Sequence, residues 1–394
     1  LVQVEMLVYE DKLDLAERLL QELYAIEPTN EEIYIQQAQI HSKRDQHEKA
    51  IETLKLALKY TDDLADVYSM IGMEYLFMDD LEKAKDYFIL CLEEDDQDYS
   101  ALYNVVYCYD FLEQNEKAIE YLESFINRNP YSEVAWHQLG RQYYALKNYE
   151  KAVWAFDYAT IIDDTFLGAF MEKGKSLEKL KRYEEAIESF KTTIELDDPT
   201  SFALLRIGKC YERLGNREKA LKYYHKTVHE DPLLDKGWIA ITDFYIRQKN
   251  FQKALYYVNK AIGIDGENSF YWKRYAAINE ALNFYEEAEL GYRRAFESGD
   301  INLDTFILWS NMLQFLGEFE NSVEILLQAS DVFPDEFEIE YRLAGLYYLL
   351  GENDKGKFHL SNGLRVSFEN HTILENLFPD VWVREDIQEM INKK

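Results

Sequence analysis

Small residues recur every 34 positions along this chain. The tripeptide Glu-Lys-Ala ends at Ala50, Ala84 and Ala118, and Tyr-Glu-Lys-Ala ends at Ala152. The same step runs back to Ala16 and forward through Ala186, Ala220, Ala254, Ala288, Ser322 and Gly356. Eleven copies in one register, without insertion or deletion, require a structure built by repetition, in which each unit meets the next in the same way.

Twelve residues before each of these lies a second small side chain: Val4, Ala38, Gly72, Val106, Gly140, Gly174, Gly208, Thr242, Ala276, Ser310 and Ala344. Two antiparallel helices that cross closely need small residues at the crossing, because a large side chain would hold the backbones apart. Large apolar residues surround them at helical spacing. Tyr68, Trp136, Phe170, Trp238 and Trp272 stand four residues before the Gly72-type position, and Leu54, Phe88, Phe156, Phe190 and Tyr224 four after the alanines. Such spacing puts each set on one helical stripe. Pro28, Pro130, Pro232 and Pro334 follow second helices, where a residue without an N–H ends the run. About twenty-two helices in eleven antiparallel pairs are predicted, with first helices starting near residues 31, 65, 99, 133, 167, 201, 235, 269, 303 and 337. Only 6 Pro and 16 Gly leave too few turn formers for an all-β chain, and 47% hydrophobic residues with 31 Tyr are too many for a disordered one.

Residues 133–166 hold Trp136, Leu139, Gly140 and Tyr143, then Ala152, Phe156 and Ala159. That is W-x2-L-G-x2-Y followed by A-x3-F-x2-A, and over residues 1–370 the chain resembles the tetratricopeptide repeat family. The resemblance implies an all-α fold, a right-handed α-α superhelix of about eleven hairpins. The repeats would be 1–30, 31–64, 65–98, 99–132, 133–166, 167–200, 201–234, 235–268, 269–302, 303–336 and 337–370, with residues 371–394 as a C-terminal capping helix. Two copies depart from the pattern. The first begins at its fifth position; the last has Glu340 in place of an aromatic, and Gly356 and Gly363 in its second helix. Looser packing and faster fraying are expected there, since glycine weakens a helix.

The formal net charge of −31 repels nucleic-acid phosphates and anionic headgroups, so neither nucleic acid nor membrane is an expected partner. Cys91, Cys108 and Cys210 cannot all pair and form no CxxC, which suits a reducing, cytoplasmic setting. The chain opens at Leu1 rather than Met, and an upstream segment remains an expectation. No catalysis is expected. Gly168 and Gly174-Lys175-Ser176 are spaced one residue too long for a phosphate loop, with no strand leading in. His225 and His229 lack the intervening Glu of HExxH and a third ligand, so no metal or other cofactor is expected.

The resemblance further implies that the first helix of each pair lines a concave wall and that ligands touch repeat positions 2, 5, 6, 9, 12 and 13. In repeats three and four those positions include Met73, Leu76, Phe77, Tyr103, Tyr107 and Phe111, and in repeat five His137 and Tyr144. Aromatic side chains give large contact area at low rotamer cost, which favours a peptide-binding groove; the alternative is that they pack on one another along the array. From repeat five the wall turns basic. Arg141, Lys175 and Lys209 occupy the ninth position, and Lys179, Arg213 and Arg247 the thirteenth. Arg206 and Lys236 add to them, while Glu172, Glu178 and Glu212 oppose. A mildly positive cleft in an acidic molecule suits an acidic segment or a C-terminal carboxylate. The plainer alternative is surface pairing, Lys175 with Glu178 and Lys209 with Glu212. The chaperone-tail carboxylate clamp of the family is missing, because Lys273, the one Lys at position five, is followed by Ala277 and Leu308 where the clamp needs Asn. A protein-interaction scaffold holding a peptide or partner segment in its groove is therefore expected. A structural role through edges or the convex face, and a regulatory arm of a longer protein, are the alternatives.

Overall fold

A computed structural model describes residues 1–197 and 200–392. Residues 198 and 199 of the expected sixth repeat, and 393 and 394 of the expected cap, lie outside the described residues. Among the described residues every regular element is a helix. The chain divides into two compact units, residues 1–198 and 199–394. The first holds the helix pairs Val2–Tyr9 with Leu13–Ile26, Glu31–Lys43 with His47–Ala57, Leu64–Phe77 with Leu81–Glu94, Tyr99–Phe111 with Asn115–Arg128, Glu133–Ala145 with Tyr149–Ile162, and Leu167–Lys179 with Tyr183–Leu196. The second holds Ser201–Arg213 with Arg217–Glu230, Asp235–Arg247 with Phe251–Ile264, Ser269–Ala281 with Tyr285–Glu297, Leu303–Phe315 with Phe319–Val332, and Phe337–Leu349 with Asn353–Val366. From the second repeat onward the first helices start at the predicted residues, one position early at Leu64.

The helix crossings obey a pairing rule. A Cβ on Gly72, Gly140, Gly174 or Gly208 would come within 2.8, 2.5, 2.5 or 2.6 Å of the rings of Phe88, Phe156, Phe190 and Tyr224. Where the small residue has a Cβ, the residue at the matching place on the second helix shrinks. Ala38 goes with Leu54, Val106 with Leu122, Thr242 with Val258, Ser310 with Leu326 and Ala344 with Leu360, all of them buried. Each crossing thus encloses a similar volume, as native packing density demands. Ala276 with Tyr292 departs from the rule, and there Gly291 gives way: its Cβ would lie 2.8 Å from that of Ala276.

Polar contacts repeat with the same step. Every hairpin turns on a residue of positive φ, among them Asp45, Asp79, Glu113, Lys147 and Lys181, with glycine only at Gly215, Gly317 and Gly351. This left-handed residue ends the first helix and lets the next N–H reach back, as Asp80 does to the Tyr75 carbonyl at 2.9 Å. Holding a non-glycine there costs about 1 kcal/mol, so the site does not announce itself by residue type. The lysine that precedes the small residue of the second helix has a packing role. Lys83, Lys151, Lys219 and Lys253 lie over the rings of Tyr75, Tyr143, Tyr211 and Tyr245 at 5.3, 5.0, 5.2 and 5.1 Å. Between repeats, the indoles of Trp136, Trp238 and Trp272 donate to the carbonyls of Pro130, Pro232 and Gly266 at 3.0, 2.9 and 2.8 Å. That bond ties each turn to the helix it introduces.

The eleventh repeat corrects an expectation. Every residue from Ile339 to Tyr348 on its first helix is buried. Gly356 and Gly363 are not gaps, because the rings of Tyr348 and Tyr341 approach their Cβ positions to 2.7 and 3.1 Å. A 3-10 turn, Phe368–Asn370, and the helices Thr372–Leu377, Pro379–Trp382 and Glu385–Asn392 follow, and the three helices pack on the repeat. Phe378 lies over Gly345, 2.2 Å from where a Cβ would stand. Glu340 is buried against His359 Nδ1 at 2.8 Å, which satisfies a carboxylate where an aromatic was expected. By contrast, the first helix of repeat one buries just Val4 and Val8.

Candidate functional site

In the first unit the first helices of repeats four, five and six pack side by side, so their ligand positions share one face. Leu64–Phe77 presents Met73 and Phe77, and Tyr99–Phe111 presents Tyr103, Tyr107 and Phe111, all exposed, with Phe77 at 60% and Phe111 at 63%. They stand four residues apart on their helices, about 100° round from Gly72, Leu102 and Val106, which serve the core. The rings of Tyr107 and Phe111 lie 4.5 Å apart, and the Asn104 amide donates to the Met73 sulfur at 3.8 Å. Phe77 stacks on His47 at 5.4 Å, and His47 Nδ1 meets the Glu74 carboxylate at 2.8 Å. Two neighbouring helices therefore offer five large side chains to solvent.

His137 does not belong to this open face, which is a correction. It is 8% exposed, its ring lies 5.6 and 4.8 Å from those of Phe156 and Phe166, and neither ring nitrogen has a hydrogen-bond partner. Burial, aided by the Arg141 charge, pushes its pKa down to about 4. Phe166 is the cause. It occupies the N-cap of Leu167–Lys179, a place where Asn30, Asp98, Ser132 and Thr200 accept a backbone N–H in other repeats. Phe166 makes no such bond and covers His137 instead. Losing a cap of this kind costs about 1 kcal/mol. Repeat position alone put His137 on the wall; the covering residue belongs to the next turn.

The other expected residues of the first unit are tied down to different degrees. Tyr144 is half-buried against Tyr149, with ring centroids 5.3 Å apart. Arg141 is exposed and donates to Gln138 Oε1 at 3.2 Å. Lys175 is half-buried and paired with Glu172 at 2.8 Å, while Lys179 is exposed in the last turn of its helix.

In the second unit the same face is cleft rather than aromatic. Lys209 and Lys236 line a cleft of about 360 Å³ with Asp243 and Phe270. Phe270 also lines a second cleft, of about 470 Å³, with Lys273, Arg274, Asp300 and Leu308. Lys273 pairs with Asp300 and Arg274 with Asp243, each at 3.1 Å, and the Arg274 guanidinium lies 4.7 Å above the Phe270 ring. Burial acts on Asp300, but hydrogen bonds from Lys273, Thr305 and Asn302 outweigh it and hold the carboxyl below its usual range. Burial raises Asp243, against the pull of Arg274 and Arg247. Arg213 is exposed, and Arg247 pairs with Glu212, which also accepts from the Tyr224 hydroxyl at 3.0 Å. Phe270, Arg274 and Asp300 escaped the sequence reading; Phe270 and Arg274 stand at positions 2 and 6 of the ninth repeat, where they could be sought. The cysteine thiols are buried, and burial lifts Cys91 and Cys108 to about 12 and about 11, far from a reactive thiolate.

Tetratricopeptide repeat profiles match residues 7–73, 65–98 and 202–233, segments of the helix pairs described above. The chain is a tetratricopeptide repeat protein. A profile described as anaphase-promoting complex, cyclosome, subunit 3 matches residues 112–193. No curated protein matches the chain in sequence. Among solved structures, a tetratricopeptide repeat protein from Parabacteroides merdae is 15% identical, covering 63% of this chain and 98% of its own, with a TM-score of 0.46. The C-terminal part of a TPR repeat-containing protein from Cytophaga hutchinsonii is 15% identical over 60% of this chain and 98% of its own, with a TM-score of 0.48. YrrB, a TPR protein with an unusual peptide-binding site, is 22% identical over 47% and 95%, with a TM-score of 0.35. Among the described residues no helix is long and apolar enough to cross a membrane.

Proposed function

We propose that this chain is a scaffold that holds an apolar segment of a partner protein along the first helices of repeats three and four. Family membership supports the general part, since tetratricopeptide repeat arrays are protein-interaction scaffolds. The specific part rests on one observation: Met73, Phe77, Tyr103, Tyr107 and Phe111 are exposed on adjacent helices whose cores are complete without them. Aromatic anchors of this kind carry a large share of interface energy, about 1–3 kcal/mol each. Phe77, Tyr107 and Phe111 are the anchors, and Lys175 and Lys179 on the first helix of repeat six attract an acidic stretch of the same partner.

A photo-crosslinker placed at Tyr103, and in a second protein at Ile161 on the second helix of repeat five, tests the reading. The partner should be captured from Tyr103 and not from Ile161, and its binding should protect the amides of residues 73–111 from exchange. Capture from Ile161 alone would move the function to the second-helix face, where Trp154, Tyr158 and Ile161 are also exposed.

A further inference from the structure

The two clefts beside Phe270 stand out in a molecule of net charge −31. Residues 201–302 carry 16 Lys and Arg against 14 Asp and Glu, whereas the remaining residues carry 27 against 60. Within this positive stretch, Lys209 and Lys236 reach one cleft and Lys273 and Arg274 the other, against a single aspartate in each, Asp243 and Asp300. Those aspartates have a second role. They hold Arg274 and Lys273 in place at 3.1 Å, so that the cations are pre-positioned instead of sweeping through solvent. Between the clefts Phe270 is 46% exposed.

We infer that the clefts bind an extended acidic peptide of the pattern acidic–x–apolar–x–acidic, with the apolar side chain on Phe270 and one carboxylate in each cleft. Alternate residues of an extended chain project to the same side about 7 Å apart, so one strand can fill both clefts and touch the ring between them. A small anion would use one cleft and ignore Phe270. The positive block explains how such a ligand approaches a chain that is otherwise repulsive to it, because a lined cleft focuses its field. The inference rests on the first-helix face used in the reading above, but on different residues.

The test uses the full chain and two fluorescent peptides, Gly-Glu-Ser-Leu-Ser-Glu-Gly and its Gln isostere, followed by anisotropy. The acidic peptide should bind about tenfold more tightly, and the gap should narrow as salt rises. Lys236→Glu, at an exposed position, should weaken the acidic peptide about tenfold with an unchanged circular dichroism spectrum, and Phe270→Ala should weaken both peptides. Tyr107→Ala should leave both affinities alone, which separates this inference from the apolar-face reading. Equal affinity for the two peptides overturns the inference, as does normal binding by folded Lys236→Glu. Displacement of the peptide by an equal concentration of inorganic phosphate also overturns it, since the clefts would then be a simple anion site.

Discussion

Repeats five and nine place different side chains at the same two points, and the outcomes are opposite. His137 and Lys273 occupy the fifth position of their repeats, and Phe166 and Asn302 occupy the residue that introduces the following first helix. In repeat five the Phe166 ring closes over His137, which is left buried, neutral and without a partner. In repeat nine Asn302 donates instead to Asp300, Asp300 holds Lys273, and an open cleft remains. The turn residue thus shuts the ligand face at that point in one repeat and leaves it open in the other.

The largest effect that would sharpen this contrast is a pH dependence that His137 gives to repeat five. His137 is neutral in the folded chain down to about pH 4, whereas an unfolded histidine takes up its proton near its usual value of about 6.5. Between those limits the unfolded state binds more protons, so stability is full above the unfolded value and falls as the pH drops toward the folded one. The loss should approach about 3 kcal/mol, read by hydrogen exchange in residues 133–162, and His137→Leu should abolish it. A slope that survives the substitution would break the comparison.

Next comes conversion of one repeat into the other. Phe166→Asn removes a half-buried ring and restores a capping side chain, for a net loss of about 2 kcal/mol. It should also bring the His137 pKa back toward the normal range, visible by NMR titration. The reverse exchange, Asn302→Phe, should close the second cleft and weaken the acidic peptide about tenfold, or about 1.4 kcal/mol, in the same anisotropy assay. The smallest effect belongs to the surface charges of repeat six. Lys175→Glu with Lys179→Glu should slow partner association by a few tenths of a kcal/mol, vanishing at high salt, since Lys175 is already paired with Glu172.

Much of the fold could be read from residue types because its contacts are local. The small positions and the large residues opposite them lie within one hairpin, and the structure adds that Gly faces Phe or Tyr while Ala, Val, Ser and Thr face Leu or Val, except at Ala276, where Gly291 makes room for Tyr292. Of the candidate face, Met73, Phe77, Tyr103, Tyr107 and Phe111 emerge exposed as their positions imply. The positive-φ turn residues were invisible because Asp, Glu and Lys fill most of them. The eleventh repeat misled for a related reason: Gly356 and Gly363 look like weak points until Tyr348 and Tyr341 are seen to fill the space beside them.

From the sequence alone came the number of hairpins, their register and the side of each helix that serves the core. These follow from a 34-residue period acting between helices adjacent in the chain, so residue size and spacing suffice. Only the tertiary structure decided which ligand positions are open, why the first helix of the last repeat is so fully buried, and where cations gather in a cleft. Each depends on a side chain delivered from another segment: Phe166 over His137, Phe378 over Gly345, Asp300 beside Lys273. Exposure and charge at a point are set by everything that reaches it in space, and a repeat position specifies only what leaves from it.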